Sequence, residues 1–312
     1  MILDKKLEEK FLNVCCRAAL ASYHLVGKND KIAADKAAVD SMRSELNKID
    51  MIGRIVIGEG ELDQAPMLYT GEKLGSMKGP ELDIAVDPLE GTNFAAKNLP
   101  GALTVIAVSN KNDLFNAPET YMNKISAKVK ESNVIDLDYS IKKNIQNLSD
   151  YKNKNPENLT ACILDRPRHK DIIEELRKLN VNIKLITDGD VSGALLVTDE
   201  KYNVDIFLGI GGGPEGVLAA CALDAFDCNF QARFIFDEKD KVRAKKMGIE
   251  DFNKKYQLKE IVSGDSIFCA TGITSGDLVS GIKIKNDEFI AETLITHKSS
   301  GLKKLIKTKQ KI

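Results

Sequence analysis

The chain has 312 residues, 43% of them hydrophobic and 29% charged, with a net charge of −1 at pH 7. That length predicts about two domains of ordinary size, and the balanced charge excludes a global basic field for nucleic acid or anionic membrane. No apolar run is long enough to span a bilayer, and the charged, amphipathic start carries no apolar core of a signal peptide.

In chain order, Leu7, Phe11, Val14, Ala18 and Leu25 recur at helical spacing and predict a helix over about residues 3–25. Gly27-Lys28-Asn29-Asp30 breaks it, and a second helix follows over about residues 34–47, with Ala38, Val39, Met42 and Leu46 on one face. Residues 53–57 read as a strand ending at Gly58-Glu59-Gly60-Glu61. A strand over residues 83–86 runs into Asp87-Pro88-Leu89-Glu90-Gly91-Thr92, where Pro88, lacking an N–H, is expected to end the pairing. Residues 103–108 make a third strand. The polar stretch 142–158 is the expected boundary between an N-terminal α+β domain (1–155) and a C-terminal α/β domain (156–312). Strands over 159–164, 182–186 and 204–208 then alternate with helices over 170–179, 191–197 and up to about 223. This rhythm predicts a parallel sheet with ligands at its C-terminal strand ends, where Arg166, Asp188, Asp190 and Glu215 fall. The basic tail from Lys303 to Lys311 is expected to be a solvated, poorly ordered end.

Candidate chemistry rests on carboxylates. Cys15, Cys16, Cys162, Cys221, Cys228 and Cys269 form no C-x-x-C pair and read as small buried hydrophobes in a reducing compartment. His24, His169 and His297 are too scattered for a histidine metal cluster or a Ser-His-Asp triad. Asp87 and Glu90, on a rigid corner, suit a hard cation such as Mg²⁺ or Mn²⁺. Gly91 and Thr92 add N–H groups and a hydroxyl for a phosphate, although the corner also reads as a charged turn without a ligand. Asp35, placed at the start of the second helix, favours the helix dipole whether or not it binds anything. Glu59, between two glycines, makes most sense if something approaches the backbone closely.

Gly211, Gly213 and Gly216 satisfy G-x-G-x-x-G, with Asp237 about 20 residues beyond, as in a dinucleotide site of a dehydrogenase. Glu215 opposes that reading, because its carboxylate would repel a pyrophosphate at the helix start, whereas a metal on Glu215 would suit a metal and sugar site. Arg166-Pro167-Arg168 is either a phosphate fork or a solvated loop. Asp188-Gly189-Asp190 could accept from sugar hydroxyls, bind metal or cap the next helix. Tyr121, placed in a loop, reads as packing or as a ligand contact.

Asp87-Pro88-Leu89-Glu90-Gly91-Thr92 resembles the signature of the lithium-sensitive, metal-dependent sugar and inositol phosphatases. Ile57-Gly58-Glu59-Gly60-Glu61-Leu62-Asp63-Gln64-Ala65-Pro66-Met67-Leu68-Tyr69 is more specific. With Gly211-Gly212-Gly213-Pro214-Glu215-Gly216 and Ala270-Thr271-Gly272-Ile273-Thr274-Ser275-Gly276-Asp277-Leu278, it resembles class II fructose-1,6-bisphosphatase, over about residues 10–298. The resemblance implies a two-domain layered α/β/α/β/α sandwich of the sugar phosphatase type, with the acids in a cleft between domains. It implies hydrolysis of the 1-phosphate of fructose 1,6-bisphosphate in gluconeogenesis, in the cytoplasm, by a homodimer or homotetramer using Mn²⁺ or Mg²⁺. One metal would lie on Asp35 and Glu59, a second on Asp87, Glu90, Glu215 and the Leu89 carbonyl. Asp35 with Thr92 would position the attacking water and take its proton, and Glu59 could share that role. The cleaved phosphate would meet Glu90, Gly91 and Thr92, and the rest of the sugar bisphosphate Tyr121, Arg166, Pro167, Arg168, Asp188, Gly189, Asp190 and Gly212. Arg166 stands where relatives often carry Lys, which keeps the charge and changes its reach. The competing expectations are the same chemistry on sedoheptulose 1,7-bisphosphate or an inositol phosphate, a nucleotide-binding dehydrogenase, and a non-catalytic binding protein.

Overall fold

The computed structural model describes residues 2–60, 65 and 67–312, so residues 61–64 and Pro66 of the 57–69 run lie outside the described residues. The chain divides into two compact units, Met1–Ala117 with Val262–Ile312, and Pro118–Ile261. It begins the first unit with α1 (Lys6–Tyr23), α2 (Lys31–Leu46), β1 (Ile52–Ile57), β2 (Lys73–Leu74), β3 (Glu81–Glu90), α3 (Thr92–Lys97) and β4 (Leu103–Asn110). The second unit carries β5 (Tyr121–Ala127), α4 (Ile141–Lys152), β6 (Thr160–Leu164), α5 (Lys170–Lys178), β7 (Asn182–Ile186), α6 (Asp190–Leu195), β8 (Ile206–Gly212) and α7 (Gly213–Ala225). It closes with β9 (Asn229–Ile235), α8 (Glu238–Lys246), β10 (Tyr256–Gln257) and α9 (Leu258–Ile261). The chain then returns to the first unit for β11 (Ser266–Gly272), β12 (Lys283–Lys285), β13 (Glu288–His297) and β14 (Leu302–Lys311).

The first unit is a sheet in the order β12-β13-β11-β4-β3-β1-β2, with β14 also on β13. Phe11, Cys15 and Ala18 of α1 and Ala38, Met42 and Leu46 of α2 share one core with Ile55, Ile84, Ile106, Ile267 and Phe289 of the sheet. Asp30 starts α2 by accepting the Ala33 N–H at 3.0 Å, as a helix cap does. β4 is buried at every residue but its last, the pattern of a strand covered on both faces.

The second unit is a sheet in the order β10-β9-β5-β8-β6-β7. Ile145 and Leu148 of α4 and Leu176 of α5 pack with Ile125, Ala161, Ile206 and Leu208 of the sheet. Both units are therefore mixed α/β, the class expected. The expected parallel order holds for β7-β6-β8. It fails at β5, which lies antiparallel to both β8 and β9 and separates them. The β8–α7–β9 crossover leaves a gap of one strand, and β5, which precedes the alternating segment, fills it.

Four expectations are corrected. The boundary at 155/156 falls inside the second unit, because the polar stretch before it is mostly α4. Ser140 caps α4 at the Lys143 N–H, 3.2 Å away, and Ile145 and Leu148 are buried, so the polarity belongs to a solvated helix face. Pro88 does not end β3. Pairing with β4 runs through Asp87↔Val105 and resumes at Glu90↔Leu103 across an irregularity. A proline is tolerated at such a bulge because the extra residues owe the ladder no N–H. The basic tail is β14, paired with β13 from His297↔Leu302 to Glu288↔Lys311. Its lysines face outward, and Lys307 and Lys309 pair with Glu292 and Glu288 at 3.4 and 2.5 Å. Finally, Tyr121 is the first residue of β5 and not a loop residue. All six cysteines are free and buried, as expected. Among the described residues no helix is long and apolar enough to cross a membrane.

Candidate active site

In the first unit the acids collect around the ends of two parallel strands. β1 and β3 run side by side with Ile57 opposite Ala85, and Glu59 and Asp87 each follow that last pair by two residues. Glu59 and Gly60 are held by backbone bonds. The Glu59 N–H donates to the Leu68 carbonyl at 3.0 Å and the Thr70 N–H to that of Gly60 at 2.9 Å. A Cβ on Gly58 would overlap the Leu68 carbonyl oxygen. Glu72, buried, anchors the far side of this loop by accepting the Leu68 N–H and the Arg43 Nε, the latter at 2.6 Å.

At the end of β3 the Thr104 hydroxyl donates to the Pro88 carbonyl at 2.9 Å and holds the bulge. Leu89 and Glu90 are buried there. Gly91 takes a left-handed φ of 78°, and a Cβ on it would sit 2.8 Å from the Phe94 ring, so glycine is the residue that fits. Thr92 opens α3. α2 packs on both β3 and α3 and brings Asp35 to this end of the unit. Asp35 lies in the second turn of α2, not its first, and its burial pushes the carboxyl above its ordinary range.

The second unit assembles its own cluster at the C-terminal ends of β6, β7 and β8. Asp188 follows β7, with the Gly189 N–H donating to its Oδ1 at 3.2 Å. Asp190 opens α6 and is buried. Glu215 lies in the first turn of α7. Tyr121 pairs directly with Gly212 across β5 and β8. The guanidinium of Arg168 lies over the Tyr121 ring, 4.7 Å from its centroid, and donates to the Ile210 carbonyl from Nε and Nη2 at 3.0 and 2.8 Å. Arg166 donates to the Asp165 carbonyl at 3.1 Å.

Sequence reasoning missed two members. Lys124, in the middle of β5, is 1% exposed. Its Nζ donates to Asp190 Oδ2 and, at 2.7 Å, to the Gly212 carbonyl. A lysine among Met122, Ile125 and Ala127 carries one faint signal, since it shares the strand alternation that buries Met122. His169, also buried, is held by both ring nitrogens. Nδ1 lies 2.6 Å from the Leu164 carbonyl and Nε2 accepts the Ile210 N–H at 2.7 Å. It is thus a neutral ring bracing the β6 and β8 ends, and desolvation lowers its pKa.

That gives a pH prediction. The unfolded ring binds a proton near pH 6.5 and the folded one only lower, so stability is full above about pH 6.5 and falls as pH drops through the folded value. The loss is at most about 1.4 kcal/mol per pH unit. Urea unfolding from pH 7.5 to 5 should show an acid limb that is flatter in His169→Gln. Identical limbs would exclude His169 as its source.

The glycine loop now has a specific meaning. A Cβ on Gly211 would overlap the Asp190 carboxylate, and one on Gly212 the Glu215 carboxylate. These glycines make room for the protein's own carboxylates, not for a pyrophosphate. Asp237, the ribose reader of the dinucleotide reading, is committed to a capping box on α8, accepting the Asp240 N–H at 2.7 Å. The dehydrogenase reading loses both of its supports.

Whether the acids suit a metal can be judged from their surroundings. Among the described residues no three His, Cys, Asp or Glu side chains are grouped closely enough to hold an ion by themselves. Their chemistry nonetheless fits a hard cation. Asp190 Oδ1 and Glu215 Oε2 are buried without a hydrogen-bond partner among the described residues. Burial raises the Glu215 carboxyl most, Lys124 lowers it, and Asp190 and Asp188 raise it further. Buried carboxylate oxygens in this state accept a hard cation or a hydroxyl donor.

Residues 5–310 match the family described as bacterial fructose-1,6-bisphosphatase, glpX-encoded. The chain is 39% identical to the D-fructose 1,6-bisphosphatase class 2/sedoheptulose 1,7-bisphosphatase of Synechococcus sp. (strain JA-3-3Ab), over 98% of this chain and 96% of that protein. It is 41% identical to the protein of the same name from Prochlorococcus marinus (strain MIT 9303), over 91% and 90%. Among solved structures it aligns with an inositol monophosphatase from Anabaena (Nostoc) sp. at 12% identity and a TM-score of 0.32, over 62% of this chain and 71% of that one. By the extent of the family match and the identity to these relatives, the chain belongs to the bacterial glpX-type fructose-1,6-bisphosphatase family.

Proposed function

We propose that the protein hydrolyses the 1-phosphate of fructose 1,6-bisphosphate to give fructose 6-phosphate and phosphate. The observation that carries this reading is the family match over residues 5–310, which includes every acid named above. In the first unit, Asp35 and Glu59 would hold one divalent cation, and Asp87, Glu90 and the Leu89 carbonyl would serve another. Glu215, in the second unit, is a further buried carboxylate suited to a divalent cation. Bound Mn²⁺ or Mg²⁺ would neutralise phosphate oxygens and lower the cost of ionising the attacking water. Asp35 would pair with Thr92 to position that water and take its proton. Glu90, Gly91 and Thr92 orient the phosphate that leaves the sugar.

In the second unit, Tyr121 and Gly212 form one wall of the sugar site, with Asp188, Gly189 and Asp190 as acceptors for its hydroxyls. Arg166 and Arg168, flanking Pro167, are the cations for the phosphate that is kept. A cytoplasmic setting and assembly as a homodimer or homotetramer belong to the same proposal.

A second reading has a specific basis, because both relatives are named for sedoheptulose 1,7-bisphosphate as well. Phosphate release measured side by side on the two bisphosphates, with Mg²⁺ and with Mn²⁺, tests both. Release from the fructose substrate alone supports the primary reading, comparable release from both supports the dual one, and silence on both with either metal overturns them.

A further inference from the structure

Lys124 is a buried ammonium in the middle of a strand, a position an apolar side chain would fill without desolvating a charge. It is 1% exposed. Its stem is confined, since a Cβ on Gly216 would sit 3.2 Å from Lys124 Cδ, so the place of Nζ is fixed by packing under α7. From there Nζ reaches Asp190 Oδ2 on α6 and the Gly212 carbonyl at the end of β8. Two neighbouring structural elements of the second unit are thus fastened to a third, β5, through one ammonium. The same charge acts on Glu215. Asp190 and Asp188 act on Glu215 as like charges, and like charges repel both each other and an anionic ligand. With Oδ2 occupied by the ammonium, Asp190 keeps Oδ1 buried and, among the described residues, unpartnered, oriented by the bond that its other oxygen makes.

We propose that Lys124 is a positioning residue of the sugar-bisphosphate site. Its ammonium ties Asp190 to the Gly212 carbonyl in one rigid corner, so that Asp190 is held in place for the sugar. The role rests on the reading of function given above. Lys124 acts through Asp190 and takes no part in bond making. Removing it should weaken the hold on the sugar bisphosphate. It should not weaken divalent-cation binding, because a competing positive charge near Glu215 has gone.

The test is a double-mutant cycle on the full chain, with Lys124→Gln, Asp190→Asn and both together beside wild type. KM and kcat for fructose 1,6-bisphosphate are measured with Mn²⁺ binding by calorimetry and with circular dichroism. Lys124→Gln is expected to raise KM about ten-fold or more, to change kcat by less than about three-fold and to leave Mn²⁺ affinity equal or tighter. The double variant should match the KM of Asp190→Asn within roughly two-fold, because without Asp190 the ammonium has lost what it positions. The proposal is overturned by an unchanged KM in Lys124→Gln, by KM effects that multiply in the double variant, or by Mn²⁺ affinity falling along with substrate affinity, the mark of general damage. If Lys124→Gln does not fold, the double variant, which removes the ammonium together with the carboxylate it bonds, is compared with Asp190→Asn by the same rule. Equal KM values support the role, and a further rise of about ten-fold overturns it. A wild type that binds Mn²⁺ but does not hydrolyse the substrate refutes the functional reading and this role together. An active wild type with an indifferent Lys124 refutes this role alone.

Discussion

Asp35→Ala and Glu59→Ala are each expected to lower kcat for fructose 1,6-bisphosphate by about 10³-fold or more while the protein stays folded. General-base and cation-holding groups are worth about 10²–10⁴-fold each, and the proposal gives Asp35 both tasks. The two variants should differ in stability in an informative way. Burial alone pushes the Asp35 carboxyl up, so at neutral pH the metal-free folded state carries its charged form at a cost, and alanine removes that cost. Asp35→Ala should therefore melt at or above the wild-type temperature in the absence of metal. The backbone bond from the Glu59 N–H to the Leu68 carbonyl survives in alanine, so Glu59→Ala should stay folded. Steady-state kinetics and thermal melts on the same preparations check both parts. Phosphate release near the wild-type rate from either variant would sink the assignment of that residue.

The second large effect is structural. Gly209→Ala is expected to destabilise the protein by about 3–5 kcal/mol, from backbone strain together with a lost buried hydrogen bond. Gly209 has a φ of +136°, and a Cβ there would sit 2.9 Å from Nε2 of His169. That nitrogen accepts the Ile210 N–H, and Ile210 also supplies the carbonyl that holds Arg168. One methyl group would thus strain the backbone, displace a buried ring and loosen the arginine beside Tyr121. Gly248→Ala is the control in the same unit. Its φ is +84° with open space around it, so it should cost only the about 1–2 kcal/mol of a left-handed residue. Urea midpoints for the two variants test the contrast, and equal losses would assign the whole effect to backbone strain.

Much of the candidate site was legible because its acids sit where strand patterns stop. Residues 53–57 and 83–86 are apolar enough to announce strands, and Glu59 and Asp87 follow directly. The pairing of β1 with β3 is not legible locally, because parallel register depends on long-range contacts. The bulge after Asp87 was equally hidden, since a proline suggests an end and its tolerance depends on Thr104 across the sheet. α4 reads as a polar boundary in the sequence because only a narrow stripe of it, Ile145 and Leu148, is buried and apolar. β14 reads as a solvated tail because its lysines dominate the composition, although pairing with β13 satisfies its backbone whatever the side chains are. Lys124 had no local signature, and its partners lie on α6 and β8, remote in sequence. The glycine loop was the reverse case. Its spacing suggested a familiar ligand, and only the positions of the Asp190 and Glu215 carboxylates revealed what the missing side chains make room for.

The chain leaves the first unit after Ala117 and rejoins it at Val262, and this has a consequence for how the protein is made. A ribosome delivers β4 long before β11, the strand that pairs along it from Leu103 to Ser109. Until then β4 presents an open edge of Val105, Ile106 and Val108, the kind of edge that recruits stray strands. The second unit, all of whose elements emerge consecutively, can close its core first, as domains tend to do during synthesis. The first unit must wait for the whole insertion. Birth order and spatial order therefore conflict in this fold, and the segment most exposed to misassembly in the nascent chain is the strand beside the one that ends in Asp87 and Glu90.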